Sequence, residues 1–261
     1  MSVSWKLGRV AGIDLFLHPT ALLIVFFAAG VAGGDPIAAI PFCVALFGSI
    51  VLHELGHALM ARRYGIGTRD ITLYLFGGIA SLERMPRSAG PELLIALAGP
   101  AVNVAIAAAL AIPVGLGHRL GVPVGFLFWI LGTNLGLALF NLLPIFPMDG
   151  GRVLRALLSG RLGRTRATEV AAGVGQALAI VGGFYGLASG SLMLAILAAF
   201  VYFAAGRERN YVLAEAGARG AGPRGFIDPP AAPLGFRWAD RGDGVWRLVP
   251  TFGRPATWGR P

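Results

Sequence analysis

Charged residues are scarce in this sequence of 261 residues. Asp, Glu, Lys and Arg make up 13% of the chain and hydrophobic residues 56%, whereas a soluble domain carries about a quarter charged residues. This composition excludes an ordinary soluble domain. Several uncharged runs are long enough to cross a bilayer, which takes about 20 residues as a helix. We therefore expect an integral-membrane domain over residues 1–206 and, over 207–261, a basic tail rich in Gly, Pro and Arg that is mostly disordered.

Cysteine and histidine are equally sparse. The single Cys43 excludes an internal disulfide framework and a multi-cysteine zinc site. Of the four histidines, we expect His18 at a helix start and His118 in a loop. Metal chemistry, if the chain carries any, must therefore centre on His53 and His57.

Acidic residues number 13 against 22 basic ones, which gives a formal net charge of +9. The body of the chain has no basic face interleaved with aromatic side chains, so we expect no nucleic-acid partner. The basic residues cluster at the ends of apolar segments and in the tail, as the positive-inside rule describes for membrane proteins. With a cytoplasmic N-terminus, six spans put these clusters inside and leave only Arg119 outside. We therefore expect a multi-pass protein of the cell membrane, in contact with lipid, whose N-terminus and tail are cytoplasmic.

The predicted fold is an all-α polytopic membrane protein with about six transmembrane helices. The expected spans are about 20–32, 37–61, 91–116, 124–143 and two short helices within 170–206. We interpret the first as an uncleaved span rather than a signal peptide, and 153–169 as a basic loop. Residues 71–76 are rich in β-forming types, and Gly77–Gly78 allows a tight turn. We expect a small membrane-associated β-hairpin or sheet there, whose edge could pair with an extended peptide; a plain amphipathic loop is the alternative.

Two histidines and a glutamate interrupt the second apolar span. His53 and His57 are four residues apart, so on a helix both imidazoles lie on one face and can reach one metal ion. Glu54 lies beside them as a general base, and the three form the His-Glu-x-x-His pattern of zinc proteases. Ionisable groups in a membrane-length apolar segment are costly and usually functional. This favours a metal site over a polar stripe with Glu54 in a salt bridge.

A catalytic zinc takes three protein ligands and keeps one position open, so a third ligand must come from another segment. Asp149 follows a stretch in which Pro144 and Pro147 break a predicted span. Irregular backbone at membrane depth is tolerated only where it lines a protein or water cavity. Asp149 could instead cap the next helix and pair with Arg152. Glu92 is the competing ligand, although an acid is favoured in the first turn of a helix in any case.

Three separated motifs carry a resemblance to a known family. They are His53–His57, Asn141–Pro144 and Met148–Arg152, with further likeness at Ser4–Arg9, Gly77–Ala80 and Ala98–Pro100. In this order they resemble the site-2 protease family of intramembrane zinc metalloproteases, over about residues 1–206. The resemblance implies His53, His57 and Asp149 as ligands of one Zn²⁺ and Glu54 as general base. It also implies that Asn141 and Pro147 position the substrate segment.

The resemblance implies an endopeptidase that hydrolyses a bond in or near the transmembrane segment of a membrane-protein substrate. A cytoplasmic fragment would be released, as in regulated intramembrane proteolysis. Many similar proteins continue into paired nucleotide-binding modules, and we expect none in the tail of this chain. Two alternatives stay open: a catalytically inactive membrane scaffold, and a different membrane zinc protease with Glu92 as its third ligand.

Overall fold

The computed structural model describes residues 4–24, 35–74, 77–84, 86, 88–220, 236–240 and 246–250. Helices dominate this part of the chain, and they are α1 (Pro36–Arg63), α2 (Ala89–Arg119), α3 (Gly125–Asn141), α4 (Asp149–Leu162), α5 (Arg164–Ala188) and α6 (Leu192–Gly220). The strands are β1 (Trp5–Val10), β2 (Ile13–Leu17), β3 (Thr68–Tyr74), β4 (Gly77–Leu82), β5 (Phe236–Asp240) and β6 (Trp246–Pro250). Met1–Val212 and Leu213–Pro261 form two compact units.

Helix α1 carries the first motif, and both of its ends follow from the sequence. The Asp35 carboxylate accepts a hydrogen bond from the Ile37 N–H at 2.8 Å, and Pro36 occupies the first turn. At the other end Gly65, with φ of +66°, turns the chain away after Arg63. The histidines therefore lie on one helix, as predicted.

Three helices are long and apolar enough to cross a membrane, namely α1 from Ile37 onward, α2 and α5, and the shorter helix α3 is also apolar. Their exposed faces carry large apolar side chains such as Ile112, Leu139 and Phe184, which suits contact with lipid better than contact with water. The described residues thus contain three membrane-length helices and a shorter one, and they do not confirm six spans. Most of the first predicted span, from residue 25 to 32, lies outside the described residues.

Four strands form a sheet in the order β1-β2-β3-β4. A turn at Ala11–Gly12, both with positive φ, joins β1 and β2 into a hairpin, β2 runs parallel to β3, and β3 pairs antiparallel with β4. The predicted β-segment is therefore the β3–β4 hairpin, and the fold is helical with a small sheet. Among the described strands β4 has a neighbour on one side only, so its other edge is free.

The helical structure is interrupted between α3 and α4, as predicted from the two prolines. Ile145 and Phe146 of this connection are buried against α5 and α6, where they contact Ala171, Ala172, Ala179, Val201 and Ala205. Gly151 lies so close to the connection that a Cβ atom there would come within 2.7 Å of the Phe146 nitrogen. Because Gly151 has no side chain, the first turn of α4, which carries Asp149, can pack directly against this buried connection.

The prediction that residues 153–169 form a loop is wrong. Residues 153–169 are helical, because they form most of α4 and the start of α5, which meet at Gly163 with φ of +76°. In the tail, which was expected to be mostly disordered, the described residues have regular structure, because α6 continues to Gly220 and β5 and β6 form an antiparallel pair. The other residues of 207–261 lie outside the described part of the chain, so the expectation for the tail as a whole stays a prediction. Residues 207–220 contain good helix formers, which the Gly- and Pro-rich composition of the whole tail had concealed.

Candidate active site

Three ligand-type side chains from two distant helices meet at one point. The Nε2 atoms of His53 and His57 are 3.1 Å apart, and Asp149 Oδ2 lies 3.2 Å from the first and 3.1 Å from the second. All three residues are buried. The structure thus brings together the three residues that the sequence proposed as metal ligands.

The other ring nitrogen of each histidine is already engaged. His57 Nδ1 lies 2.7 Å from the Ile95 carbonyl oxygen, which can only accept, so this Nδ1 carries the proton. His53 Nδ1 donates in the same way to Asn103 Oδ1 at 2.5 Å. In the neutral imidazoles both Nε2 atoms therefore present lone pairs, and they face each other and a carboxylate oxygen. Three electron-rich atoms this close repel one another unless a cation lies between them.

The spacing of these atoms fits zinc. A tetrahedral zinc ion with bonds of about 2.0–2.1 Å separates its ligand atoms by about 3.3 Å, close to the three distances observed. Two imidazoles and a carboxylate, each imidazole held by a hydrogen bond through its far nitrogen, form the donor set of a catalytic zinc site. His53, His57 and Asp149 therefore form a site that can hold one zinc ion.

A glycine of α2 makes room for the histidines. A Cβ atom on Gly99 would overlap His57 Nε2 and would lie 2.7 Å from His53 Nε2. On α1, directly before His57, a Cβ atom on Gly56 would come within 2.8 Å of the Ala98 carbonyl oxygen of α2. The two glycines therefore let α1 and α2 approach closely at the depth of the metal site.

Glu54 lies between the metal ligands and the sheet. Its side chain is half-buried and, among the described residues, makes no hydrogen bond or salt bridge. Gly78 of β4 packs against it, since a Cβ atom there would lie 2.5 Å from Glu54 Cγ and 3.2 Å from Oε1. The sheet thus reaches the metal ligands through β4, and within the described part of the chain no hydrogen bond holds the Glu54 carboxylate.

Glu92, the competing third ligand, belongs to a buried ion-pair cluster instead. Arg155, fully buried on α4, donates to Glu92 through Nε at 2.7 Å and to Glu208 of α6 at 2.5 Å. Arg164 donates to the second Glu92 oxygen at 3.2 Å. The Arg155 guanidinium also lies 5.0 Å from the centre of the Phe146 ring. The carboxylate beside the histidines is that of Asp149, so the structure does not support the alternative in which Glu92 binds the metal.

The two predicted substrate-positioning residues flank the connection before α4. Asn141 is the last residue of α3, and its amide Nδ2 donates to the Leu137 carbonyl at 3.0 Å. Pro147 is exposed and follows a cis peptide bond. Within the described part of the chain neither forms a hydrogen bond with the three ligands, so their role stays a prediction.

Several residues of this site were not predicted from the sequence. Asn103 and Asn134 had been assigned no role in a metal site. Gly78 had been predicted only as part of a tight turn, Gly99 only as part of a motif shared with a family, and Arg155 only as part of a basic loop. The signal for the two asparagines was available, because a strongly polar side chain inside an apolar span needs a partner and is often functional. Nothing local in the sequence indicates which partner each residue meets.

A zinc-type donor set at a broken helix, among helices of membrane length, defines the class of membrane metalloproteases. The model of peptidase family M50 matches residues 41–120 and 118–182 of this chain. The chain belongs to this family, the site-2 proteases.

Individual relatives agree with this assignment. Zinc metalloprotease MJ0392 of Methanocaldococcus jannaschii is 37% identical over 220 residues, which are 82% of this chain and 63% of the relative. Rip3 of Mycobacterium tuberculosis is 35% identical over 232 residues, or 79% of this chain and 58% of the relative. The solved structure of a site-2 protease from M. jannaschii is 36% identical, with a TM-score of 0.61, and the match covers 79% of this chain and 95% of that one. The chain thus spans less than two thirds of the length of the first two relatives.

Proposed function

We propose that this chain is an intramembrane zinc metalloendopeptidase. It hydrolyses a peptide bond in or near the transmembrane segment of a membrane-protein substrate. The convergence of His53, His57 and Asp149 beside the Glu54 carboxylate, which no hydrogen bond engages among the described residues, is the observation that carries the proposal. Zinc held by the three ligands would polarise the scissile carbonyl and make water more acidic.

Glu54 supplies the proton transfer. Its carboxylate lies next to the ligands on the same helix and has no hydrogen-bond partner among the described residues. It takes a proton from the attacking water and passes it to the leaving amine. Because Gly78 packs against the Glu54 side chain, the glutamate is held between β4 and the ligands. A scaffold that had lost catalysis would have no need of this glutamate, which argues against the inactive alternative.

The free edge of β4 provides a place for an extended substrate segment. A transmembrane helix must unwind before hydrolysis, and its exposed peptide groups then need partners because lipid offers none. Addition as a further strand beside β4 would satisfy them and hold the segment next to Glu54. Asn141 and Pro147, at the two ends of the connection before Asp149, would position the same segment.

The site lies closer to one face of the membrane. His57 is five residues before Arg62, about 7.5 Å along α1. Arg62 and Arg63 end the helix, and by the positive-inside rule this end faces the cytoplasm. Hydrolysis at this depth would release a cytoplasmic fragment of the substrate. The N-terminus and the tail lie on the same side in this topology.

The test uses purified protein in proteoliposomes with a panel of single-span membrane peptides that carry a fluorophore on the cytoplasmic side. Wild type should bind about one zinc and release labelled fragments, and a zinc chelator should stop the release. Glu54→Gln should bind the same zinc and release none, whereas Asp149→Ala should lose the zinc. Zinc-loaded wild type that cleaves no peptide while Glu54→Gln behaves identically would favour the scaffold alternative.

A further inference from the structure

The two histidine ligands are held in different ways. His57 donates through Nδ1 to a backbone carbonyl, that of Ile95, whereas His53 donates to a side chain, that of Asn103. A backbone carbonyl is an acceptor under all conditions. An asparagine side chain presents either its oxygen or its NH₂ group, depending on how the amide is turned. The tautomer of His53 therefore depends on what fixes the Asn103 amide.

A chain of hydrogen bonds fixes that amide. Asn103 Nδ2 donates to Asn134 Oδ1 at 2.8 Å, and Asn134 Nδ2 donates to Ser49 Oγ at 3.0 Å and to the Ile130 carbonyl at 3.0 Å. The Ile130 carbonyl can only accept, so the Asn134 NH₂ group must lie on that side and its oxygen must face Asn103. Asn103 must then turn its NH₂ group to Asn134 and its oxygen to His53.

Burial removes the alternatives. Asn103 and Asn134 are fully buried, and Ser49 is 5% exposed. Ser49 uses its own proton on the Ala45 carbonyl, at 2.8 Å, and can therefore only accept from Asn134. A turned amide would set oxygen against oxygen in an apolar region, where an unsatisfied polar group is costly. The chain of bonds joins α1, α2 and α3, and it has one consistent direction.

We propose that Asn103 and Asn134 are positioning residues of the metal site. They hold His53 in the tautomer that carries its proton on Nδ1, so that Nε2 presents a lone pair to the metal, and they fix the orientation of the ring. The proposal rests on the zinc site of the proposed function. It assigns to Asn134, whose hydrogen bonds within the described residues go to Asn103, Ser49 and Ile130, an effect on metal binding two hydrogen bonds away.

The zinc dissociation constant, measured by competition with a chromogenic chelator in detergent, tests this role directly. Loss of a group that orients a ligand typically weakens metal binding about 10- to 100-fold, and Asn103→Leu should fall in that range. Asn134→Leu should weaken binding less, because Asn103 stays in place without its donor partner. Ser49→Ala should bind nearly as wild type does, since the Ile130 carbonyl still fixes Asn134.

A conservative variant separates positioning from packing. Asn103→Asp keeps an oxygen for His53, and its second oxygen, when protonated, can donate to Asn134 in place of the amide. This variant should recover most of the affinity that Asn103→Leu loses. The visible absorption of bound Co²⁺, which reports ligand geometry, should be altered in Asn103→Leu and resemble wild type in Asn103→Asp.

Thr168→Val is the matched control for loss of a buried polar group. Thr168 is 1% exposed on α5 and donates to the Arg164 carbonyl at 2.8 Å, and in the described part of the chain it forms no hydrogen bond with a metal ligand. It should leave zinc affinity unchanged. Equal zinc affinity in wild type, Asn103→Leu and Asn134→Leu would overturn the role of the asparagines. If Asn103→Leu does not fold, Asn134→Leu and Asn103→Asp decide the question.

Failure of the zinc site itself gives a different result. Wild type that binds no zinc, or binds it equally well after His57→Ala, would overturn the proposed function together with this inference. Wild type that loses zinc in His57→Ala but keeps its full affinity in Asn103→Leu would overturn the inference alone.

Discussion

Replacing Arg155 with methionine should destabilise the protein strongly without touching a proposed ligand. The Arg155 side chain is 1% exposed and lies between Glu92, at 4%, and Glu208, at 26%. Methionine fills much of the same volume but leaves two carboxylates without their shared cation. Removing one partner of a buried ion pair costs about 3–5 kcal/mol.

The local geometry favours the lower end of that range. Glu92 keeps a second cation, since Arg164 Nη1 lies 3.2 Å from its other oxygen, and the partly exposed Glu208 can be rehydrated. We expect a loss of about 3 kcal/mol in the free energy of unfolding. In a protein of this size 1 kcal/mol shifts the unfolding temperature by about 2–4 °C, so the expected shift is roughly 6–12 °C downward.

Thermal unfolding of the detergent-solubilised protein measures this shift. Arg161→Met, on an exposed position of the same helix, is the matched control and should stay within about 0.5 kcal/mol of wild type. The difference between the two variants should persist in high salt, because a buried pair is screened much less than an exposed one. In a double-mutant cycle, Glu92→Gln should recover part of the loss caused by Arg155→Met. Unfolding of Arg155→Met within about 2 °C of Arg161→Met would refute this reasoning.

Three further predictions concern the active site. Gly99→Ala should weaken zinc binding at least about tenfold in the chelator competition, because the added methyl group overlaps the His57 ring. The control is Gly115→Ala on the same helix, which has open space around it and should bind zinc normally. Gly78→Ala should keep its zinc but cleave peptides up to about 100-fold more slowly, because the methyl group displaces Glu54 and a misplacement of about 1 Å can slow catalysis that much. An unchanged cleavage rate would show that the contact between Gly78 and Glu54 does not matter for catalysis. Removal of zinc should lower the unfolding temperature as well as abolish cleavage, because a ligand at 100 times its dissociation constant stabilises by about 2.7 kcal/mol; zinc should restore both, and magnesium should not.

The metal site was predictable because its determinants are local. Two histidines four residues apart need only a helix to share a face, and an aspartate after a proline-broken span needs only a buried break. Both the helix and the break can be predicted from short stretches of sequence. The third ligand was still ambiguous, because the spacing of Asp149 and Glu92 does not reveal that arginines surround one and histidines the other.

The partners of the other polar residues depend on contacts far apart in the chain. The bond between Asn103 and Asn134 joins two helices, and the pair formed by Arg155 and Glu208 joins residues 53 positions apart. Residues 153–169 were interpreted as a loop from their many charges. The sequence alone does not show that one of these charged side chains, Arg155, points into the protein. Likewise, the tail was predicted from its average composition, in which the helical residues 207–220 are combined with the Gly- and Pro-rich remainder.

The link between Arg155 and Glu208 also determines where this protein can be shortened. A fragment that ends at residue 206 would contain every proposed ligand and the proposed general base, and by sequence motifs alone it would count as a complete protease domain. It would nevertheless lack the Glu208 carboxylate that shares Arg155 with Glu92. A minimal expressed fragment should therefore extend through α6 to Gly220, and purification tags should be attached beyond that residue.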